Sequence, residues 1–353
     1  MNAGRRDTPV VRISQPRLDT NVRHIQHEAT LRGVALRVHT KGHRTIPIAK
    51  LQAQAGAVGI ITQTTTESAA YLDAGIRDIV IARPRLDQWR LPVFARFAAE
   101  SAAREPESQI TVQVSNEDDV TGLSAEATAA GAELDLRIDV SFGPDRGINP
   151  ASVRALAERI ADAKAVRLDG ITGYTSLHSP DDLKHREPRV REIASELVGL
   201  AQMIRDDGIA CPTVAVNGTP GILAAAETPG VTEICTGATA LYDAGFASAG
   251  VCDFGDVAIS VRATVVRAHG GRVETDADEL LTGASHEWAP DLVATMADGR
   301  ALDSADVREG DIVELIPAHI CPFILNGPEF HVIDADGDTV AHWAPALLPE
   351  ARH

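Results

Sequence analysis

The stretch "ALRVHTKGHRTIPIAKLQ", residues 35–52, decides the fold because it passes directly from a strand to a helix. "VALRVH" (34–39) is a short apolar run, and "TIPIAKLQAQAGA" has helical spacing, with Pro47 near the helix start, where proline is tolerated. Lys41 lies between them, flanked by His39 and His43. A strand followed at once by a helix is the repeating unit of a parallel α/β sheet.

Apolar runs of this kind recur along the chain, and helical patterns separate most of them. The eight runs are "VALRVH" (34–39), "VGIIT" (58–62), "DIVIA" (78–82), "ITVQV" (110–114), "LDLRIDV" (134–140), "LDGITGY" (168–174), "TVAV" (213–216) and "TEICTG" (232–237). Eight such units predict an α/β fold with a (β/α)8 barrel over residues 14–255. A doubly wound open sheet is the alternative, but no GxGxxG fingerprint follows the first strand.

The pattern changes after residue 255, where strand-like alternation is interrupted by turn sequences such as "DADGD". "DVAISVRATVVRA" and "EFHVIDADGDTVAHW" show the period of two that is typical of a half-buried sheet. We therefore predict a separate β domain over residues 256–353, without helices. Residues 1–13, which include "TPVVRI" (8–13), are predicted to join it.

Composition limits the classes of partner. The chain has 353 residues and a formal net charge of -17, which disfavours binding to a nucleic-acid backbone. No apolar run of about 18 residues is present, so no membrane partner is expected. The N-terminus has no apolar h-region, and the four cysteines show no CxxC spacing. These features indicate a cytoplasmic protein with reduced thiols.

Lys41 lies just past the first predicted strand, at the barrel face that carries catalysis. A structural ion pair is the alternative for this lysine. However, "NGTPG" (217–221) and "TGATA" (236–240) follow the last two predicted strands. Such glycine-containing turns before helices bind phosphate through backbone N–H groups. A lysine that faces a phosphate site predicts pyridoxal phosphate (PLP) held as a Schiff base.

The stretch from "DTPVVRISQPRLD" to "LQAQAGAVGI" (7–60) resembles the opening of the D-serine dehydratase and D-threonine aldolase family. These are fold-type III PLP enzymes with an alanine racemase-like N-terminal barrel. The family's run RPHxKTHK corresponds here to "RVHTKGHR" (37–44), which places Lys41 at the cofactor lysine. "RIDVSFGPDRGI", "GITGY", "NGT", "TEICTGATALYD" and "GDIVELIPAHICPF" extend the resemblance over most of the chain. The cofactor-binding residues that it implies are Lys41, His39, Arg146, Tyr174, Asn217, Gly218, Thr219, Gly237 and Ala238.

A metal site is predicted at "PAHICP", where His319 and Cys321 are two residues apart on an expected strand and so share one face. An imidazole and a thiolate suit Zn²⁺, although Mn, Co and Mg remain alternatives. The other interpretation is a buried cysteine beside a core histidine. In the family that this chain resembles, the segment is the metal site, and the His-x-Cys form is typical of dehydratases.

Several motifs depart from the family pattern. "GYTSLHS" has Thr175 in place of a glutamate, and His178 is a displaced histidine. Thr239 replaces a tyrosine, and neither the Asp-Ala-Gly-Ser-Lys run nor a clear Ser-Glu-Glu-His run is present. His43 and His178 are candidate acid or base residues, with surface positions as the alternative. Tyr242 and Asp243 in "LYDAGF" are interpreted as core or interface packing residues, with a position lining the site as the alternative.

The resemblance implies a PLP- and metal-dependent lyase that acts on a small β-hydroxy-D-amino acid. A dehydratase would release a 2-oxo acid and ammonia from a substrate such as D-serine or 3-hydroxyaspartate. An aldolase would release glycine and an aldehyde. A non-catalytic PLP carrier is the alternative from another class, and a racemase would have no need of His319 and Cys321. A homodimer with shared active sites is implied by the resemblance alone.

Overall fold

The computed structural model describes residues 8–82, 86, 89–143, 147–175, 177, 179–326 and 329–346. The predicted site residues Arg146 and His178 lie outside the described residues. The strands are β1 (Val10–Ser14), β2 (Ala35–His39), β3 (Gly59–Thr62), β4 (Asp78–Ile81), β5 (Gln109–Val114), β6 (Leu134–Val140), β7 (Val166–Tyr174), β8 (Thr213–Asn217), β9 (Glu233–Thr236), β10 (Ile259–His269), β11 (Arg272–Thr275), β12 (Ala294–Met296), β13 (Ile312–Pro317), β14 (Phe330–Ile333) and β15 (Thr339–Trp343).

The α-helices alternate with the strands through most of the chain. They are α1 (Gln15–Leu31), α2 (Ile46–Ala55), α3 (Thr65–Asp73), α4 (Leu91–Arg104), α5 (Glu117–Ala130), α6 (Val153–Ala161), α7 (Pro180–Lys184), α8 (Arg186–Asp206), α9 (Ile222–Ala226), α10 (Ala244–Ser248), α11 (Asp278–Leu281) and α12 (Ile320–Asn326). Within the described ranges, no helix is both long and apolar enough to cross a membrane.

Strands β2 to β9 form a closed parallel barrel in sequence order, which confirms the predicted fold class. β2 closes the ring by pairing with β9, where Val38 lies opposite Thr236. Both faces of the strands are covered, so even the charged positions of β6 are enclosed, and all seven residues of this strand are buried. The eight predicted runs therefore match the eight barrel strands to within about two residues at each end.

A buried network of charges fills the barrel interior below the catalytic face. Glu233 accepts from Arg37 at 3.0 Å and from Arg137 at 2.5 Å. Arg137 also pairs with Asp169, and Arg37 with Asp78, each at 2.6 Å. Because each of these charges has a partner, the buried arginines and Glu233 can remain ionised. It leaves the carboxyl ends of the strands as the end where a cavity can form.

The remaining strands form a second sheet with the order β12-β13-β10-β1-β14-β15, and β11 pairs with β10. The N-terminal strand β1 is antiparallel to β10 and parallel to β14, so residues 10–14 pair with the later strands. The expectation that this region lacks helices is wrong. In α12, Ile320, Phe323 and Ile324 are buried at helical spacing. A short apolar run of this length does not distinguish a strand from a helix.

Candidate active site

A cavity of about 600 Å³ opens at the carboxyl ends of the barrel strands. The barrel supplies its floor, while two segments of the second sheet region supply the opposite wall. The lining residues are His39, Lys41, Ile61, Gln63, Ala82, Gln113, Tyr174, Thr175, Leu177, Asn217, Gly218, Thr219, Pro220, Cys235, Gly237, Ala238, Phe246, His286, Glu287, Trp288, His319 and Cys321. Small side chains at the strand ends, such as Ala82 and Cys235, leave this space open.

The structure brings most of the predicted site residues together. Every predicted cofactor and metal residue that is described lines this one cavity, from His39 and Lys41 to His319 and Cys321. His43 is the exception, because its side chain is 1% exposed and is not among the lining residues. Its Nδ1 accepts from the backbone N–H of Thr45 at 3.1 Å. This buried position fits neither the predicted acid or base role nor a surface histidine.

Lys41 lies on a short 3₁₀ turn, Thr40–Gly42, immediately after β2. The turn is held in place by Thr40, whose hydroxyl contacts the carbonyl of Ile61 at 2.9 Å and the carboxylate of Glu67 at 2.7 Å. A side chain at Gly42 would overlap the carbonyl of Gly237, so glycine allows β2 and β9 to approach closely here. The Lys41 amine lies 6.0 Å from the centre of the Tyr174 ring.

A polar loop follows β8 on another side of the cavity. Asn217 donates to the hydroxyl of Thr172 at 2.6 Å, and the hydroxyls of Thr219 and Thr236 lie 3.0 Å apart. Gly218 has a positive φ of 146°, and a Cβ at this position would overlap the hydroxyl of Thr175. The glycine therefore keeps backbone exposed to the cavity, which is a cradle of the kind that binds phosphate.

The predicted metal residues are not on a strand, which corrects the geometry expected from the sequence. β13 ends at Pro317, His319 lies in the following loop, and Cys321 is the second residue of α12. Both residues therefore reach the cavity from the loop and first turn at the start of α12, and not from one face of a strand. His319 and Cys321 nevertheless line the same space as Lys41.

The ring of His319 is prepared to act as a neutral ligand. Its Nδ1 lies 3.1 Å from the carbonyl of Ser285 and must donate to it, so Nε2 keeps a free lone pair. Burial and the neighbouring His286 lower the pKa of His319 to about 4. Burial raises the pKa of the Cys321 thiol. A bound cation would offset that effect, because a coordinated thiol loses its proton.

A second group of residues supports the segment that contains His319 and Cys321, and the sequence indicated only Asp243 among them. Asp243 is fully buried and accepts from the backbone N–H of Phe246 at 2.9 Å and of Ile320 at 3.0 Å. It also accepts from His286 Nε2 at 3.1 Å. The His286 ring stacks between His319, at 3.8 Å, and Trp288, at 3.9 Å. Asp243 thus connects the start of α10 to the segment that bears His319.

His286, Glu287 and Trp288 were missed because their run, "SHEW" (285–288), differs from the family's Ser-Glu-Glu-His. Ser285 and Glu287 retain two positions of that run, and this partial match is the signal that could have located it. Trp288 lines the cavity, and within the described part of the chain its buried indole N–H has no hydrogen-bond partner. An indole nitrogen is only a donor, so this N–H is available to an acceptor in the cavity.

Comparison with known proteins gives relatives over most of the chain. The sequence is 27% identical over 382 aligned positions to a D-threo-3-hydroxyaspartate dehydratase of Delftia sp. (strain HT23), and the match covers 96% of each chain. It is 31% identical over 242 positions to a D-threonine aldolase of Arthrobacter sp, covering 67% of this chain and 62% of the aldolase.

The fold is also similar to that of solved structures. The structure of the Delftia sp. HT23 dehydratase superposes with a TM-score of 0.81 at 25% identity, covering 97% of this chain and 98% of the dehydratase. A cysteine-to-alanine variant of a D-threo-3-hydroxyaspartate dehydratase has been solved in a metal-free form. Residues 13–242 match the family described as alanine racemase, N-terminal domain. The predicted resemblance is therefore confirmed, and the chain belongs to the alanine racemase N-terminal domain family.

Proposed function

We propose that this protein is a PLP- and metal-dependent lyase of the dehydratase type. It would convert a β-hydroxy-D-amino acid, such as D-serine or 3-hydroxyaspartate, to a 2-oxo acid and ammonia. One observation carries the proposal: Lys41 and the pair His319 and Cys321 line the same cavity from different elements. The dehydratase relative, which matches 96% of this chain, supports the same reaction class.

The cavity fits PLP in its size and in the chemistry of its walls. Lys41 would hold the cofactor covalently, with His39, Tyr174 and Arg146 as further predicted contacts. The exposed backbone at Gly218, together with Asn217, Thr219, Gly237 and Ala238, would bind the phosphate. When bound, the cofactor supplies an electron sink for the carbanion that forms at the substrate α-carbon.

The amine of Lys41 is the group that would move a proton. With cofactor and substrate bound, this amine would accept the α-proton inside the cavity. The Tyr174 ring, 6.0 Å from this amine, borders the space in which the amine moves. Neither His43, which lies outside the cavity, nor the undescribed His178 is needed for this step.

The donor set of His319 and Cys321 fits a borderline-soft divalent cation, and Zn²⁺ suits an imidazole and a thiolate best. The metal would act as a Lewis acid on the substrate hydroxyl. Two protein ligands leave open positions for that hydroxyl and a carboxylate. The free indole N–H of Trp288 is positioned on the same wall to donate to a substrate oxygen. The metal-free form of a related dehydratase supports a metal in this role.

An aldolase that releases glycine and an aldehyde is the second candidate, since a D-threonine aldolase is also a relative. The thiolate at Cys321 favours the dehydratase, because the resemblance associates His-x-Cys with dehydratases. A non-catalytic PLP carrier would have no use for this metal pair. We further propose a homodimer with shared active sites, on the family resemblance alone, and its mass in solution tests this. The proposed cytoplasmic location rests on the composition and the cysteine spacing.

The test is product identification with metal-replete, PLP-loaded protein. D-serine, D-threonine and D-threo-3-hydroxyaspartate are supplied separately, and products are identified by mass spectrometry. Ammonia with a 2-oxo acid is the expected result, and glycine with an aldehyde would establish the aldolase instead. Lys41→Ala should abolish turnover, whereas Lys50→Ala, at an exposed position on α2, should not. PLP binding with no product from any substrate would support the carrier.

A further inference from the structure

Two histidines lie opposite each other on the outer edge of the second sheet. His331 on β14 is the register partner of His342 on β15, and β15 is the last strand of that sheet. Their ring centres are 4.4 Å apart, with an angle of 60° between the rings. The neighbours Phe330 and Val332 are fully buried, so His331 points away from the core.

Glu329 completes the group from the residue that directly precedes β14. It is two residues before His331, so the two side chains share a face. Its carboxylate lies 3.4 Å from His342 Nδ1. Within the described ranges, Glu329, His331 and His342 are the one group of three such side chains whose ligand atoms all lie within 4.8 Å of one another. Small side-chain rotations would bring the atoms to the spacing that a tetrahedral cation requires.

We propose that Glu329, His331 and His342 form a second binding site for a divalent transition metal. Two imidazoles and one carboxylate match the ligand preference of Zn²⁺, Ni²⁺ and Cu²⁺, whereas Mg²⁺ and Ca²⁺ prefer oxygen ligands alone. Three protein ligands leave a fourth position for water. None of the three residues lines the cavity at Lys41, so this site is separate from the proposed active site.

The surroundings tolerate a cation here. Arg12 on β1 is the register neighbour of His331, but its charge is already paired with Glu314 at 3.2 Å. The side chains of His342 and Glu329 are 50% and 55% exposed, which gives the metal access from solvent. His331 lies on β14 and His342 on β15, so a bound cation would cross-link the two strands and hold the sheet edge together.

The site is tested by zinc stoichiometry on the full-length, PLP-loaded protein after removal of metal with a chelator. Equilibrium dialysis against zinc chloride, followed by elemental analysis, should give one more bound zinc in the wild type than in His331→Ala. Glu329→Gln and His342→Gln should each weaken this binding at least tenfold. His185→Ala is the matched control, because His185 is an exposed histidine that pairs with Asp181 and, among the described residues, belongs to no such group of three.

Cobalt distinguishes the two sites, since only a site containing Cys321 gives a thiolate charge-transfer band. The Cys321→Ser variant should still bind cobalt at the second site, without the thiolate band. The double variant Cys321→Ser, His331→Ala should lose this cobalt as well. If the stoichiometry is unchanged by His331→Ala, Glu329→Gln and His342→Gln while all three remain folded by circular dichroism, the proposal is wrong. Loss of lyase activity in these variants is not expected, so failure of the proposed function would be seen separately.

Discussion

Replacing Asp243 tests whether the active-site wall depends on one buried carboxylate. Asp243 caps the start of α10 and receives hydrogen bonds from the backbone of Phe246 and of Ile320, and from the His286 ring. Asp243→Ala would remove the acceptor for all three donors. None of these donors has water as an easy replacement, because Asp243 is 0% exposed.

The cost of the substitution follows from these contacts. Each buried donor left without a partner costs about 1–3 kcal/mol, so three donors set a loss of at least about 3 kcal/mol in the free energy of unfolding. The Ile320 contact also holds the segment that contains His319 and Cys321. Loss of such support for metal ligands typically weakens metal binding by about 10–100-fold.

Urea denaturation of the metal-free protein measures the first quantity, and competition with a chromogenic zinc chelator measures the second. Asn116→Ala is the matched control, because Asn116 caps the exposed start of α5 through one bond to the N–H of Asp119. That variant should lose about 0.5–2 kcal/mol and leave zinc affinity unchanged. If Asp243→Ala behaves like Asn116→Ala in both assays, the assigned role of Asp243 is refuted.

Three further predictions concern separate parts of the molecule. Burial lowers the pKa of His43 to about 3 from 6.5, so protonation favours the unfolded chain. The unfolding free energy should therefore fall as the pH drops below about 6.5, by up to about 1.4 kcal/mol per pH unit. The fall should be less steep in His43→Asn. Glu233→Gln should lower the unfolding free energy in urea by about 3–5 kcal/mol, because two buried arginines lose their shared partner. Gly218→Ala should weaken PLP binding at least tenfold in an absorbance titration, since the new methyl group would overlap Thr175.

The predictions for Glu233 and Gly218 each have a matched control within the chain. Glu274→Gln removes an exposed partner of Arg267 and should change stability by less than about 1 kcal/mol. Gly199→Ala adds a methyl group in open space and should leave PLP affinity unchanged. Equal pH slopes for wild type and His43→Asn would exclude a neutral, buried His43. Equal losses of stability in Glu233→Gln and Glu274→Gln would contradict the role of the buried network. Equal losses of PLP affinity in Gly218→Ala and Gly199→Ala would contradict the role of Gly218.

The barrel was predictable because its information is local. A strand buried on both faces is rich in apolar residues, as "GIIT" at β3 shows. In "LDLRIDV" at β6 apolar and charged residues alternate, and Arg137 is buried because it pairs inside the barrel. The position of Lys41 follows from the same pattern, since it lies where a strand ends and a helix is about to begin. Closure of the barrel then brings the strand ends together, independently of the rest of the sequence.

Residues 319–326 show where local sequence patterns no longer determine the secondary structure. "HICPFILN" (319–326) contains an apolar run that a strand and a short helix could both use, and the expected strand proved to be α12. Packing of Ile320, Phe323 and Ile324 into the core selected the helix, because helical spacing alone buries all three on one side.

The sequence by itself therefore determined the barrel, the second sheet with its N-terminal strand, and the lysine at the catalytic face. Only the tertiary structure joined Asp243 to His286 and Ile320, which are 43 and 77 residues away along the chain. It also placed His43 in the core and brought Trp288 to the cavity. Periodicity records which face of an element is buried, but the partner that covers that face is decided when all elements pack together.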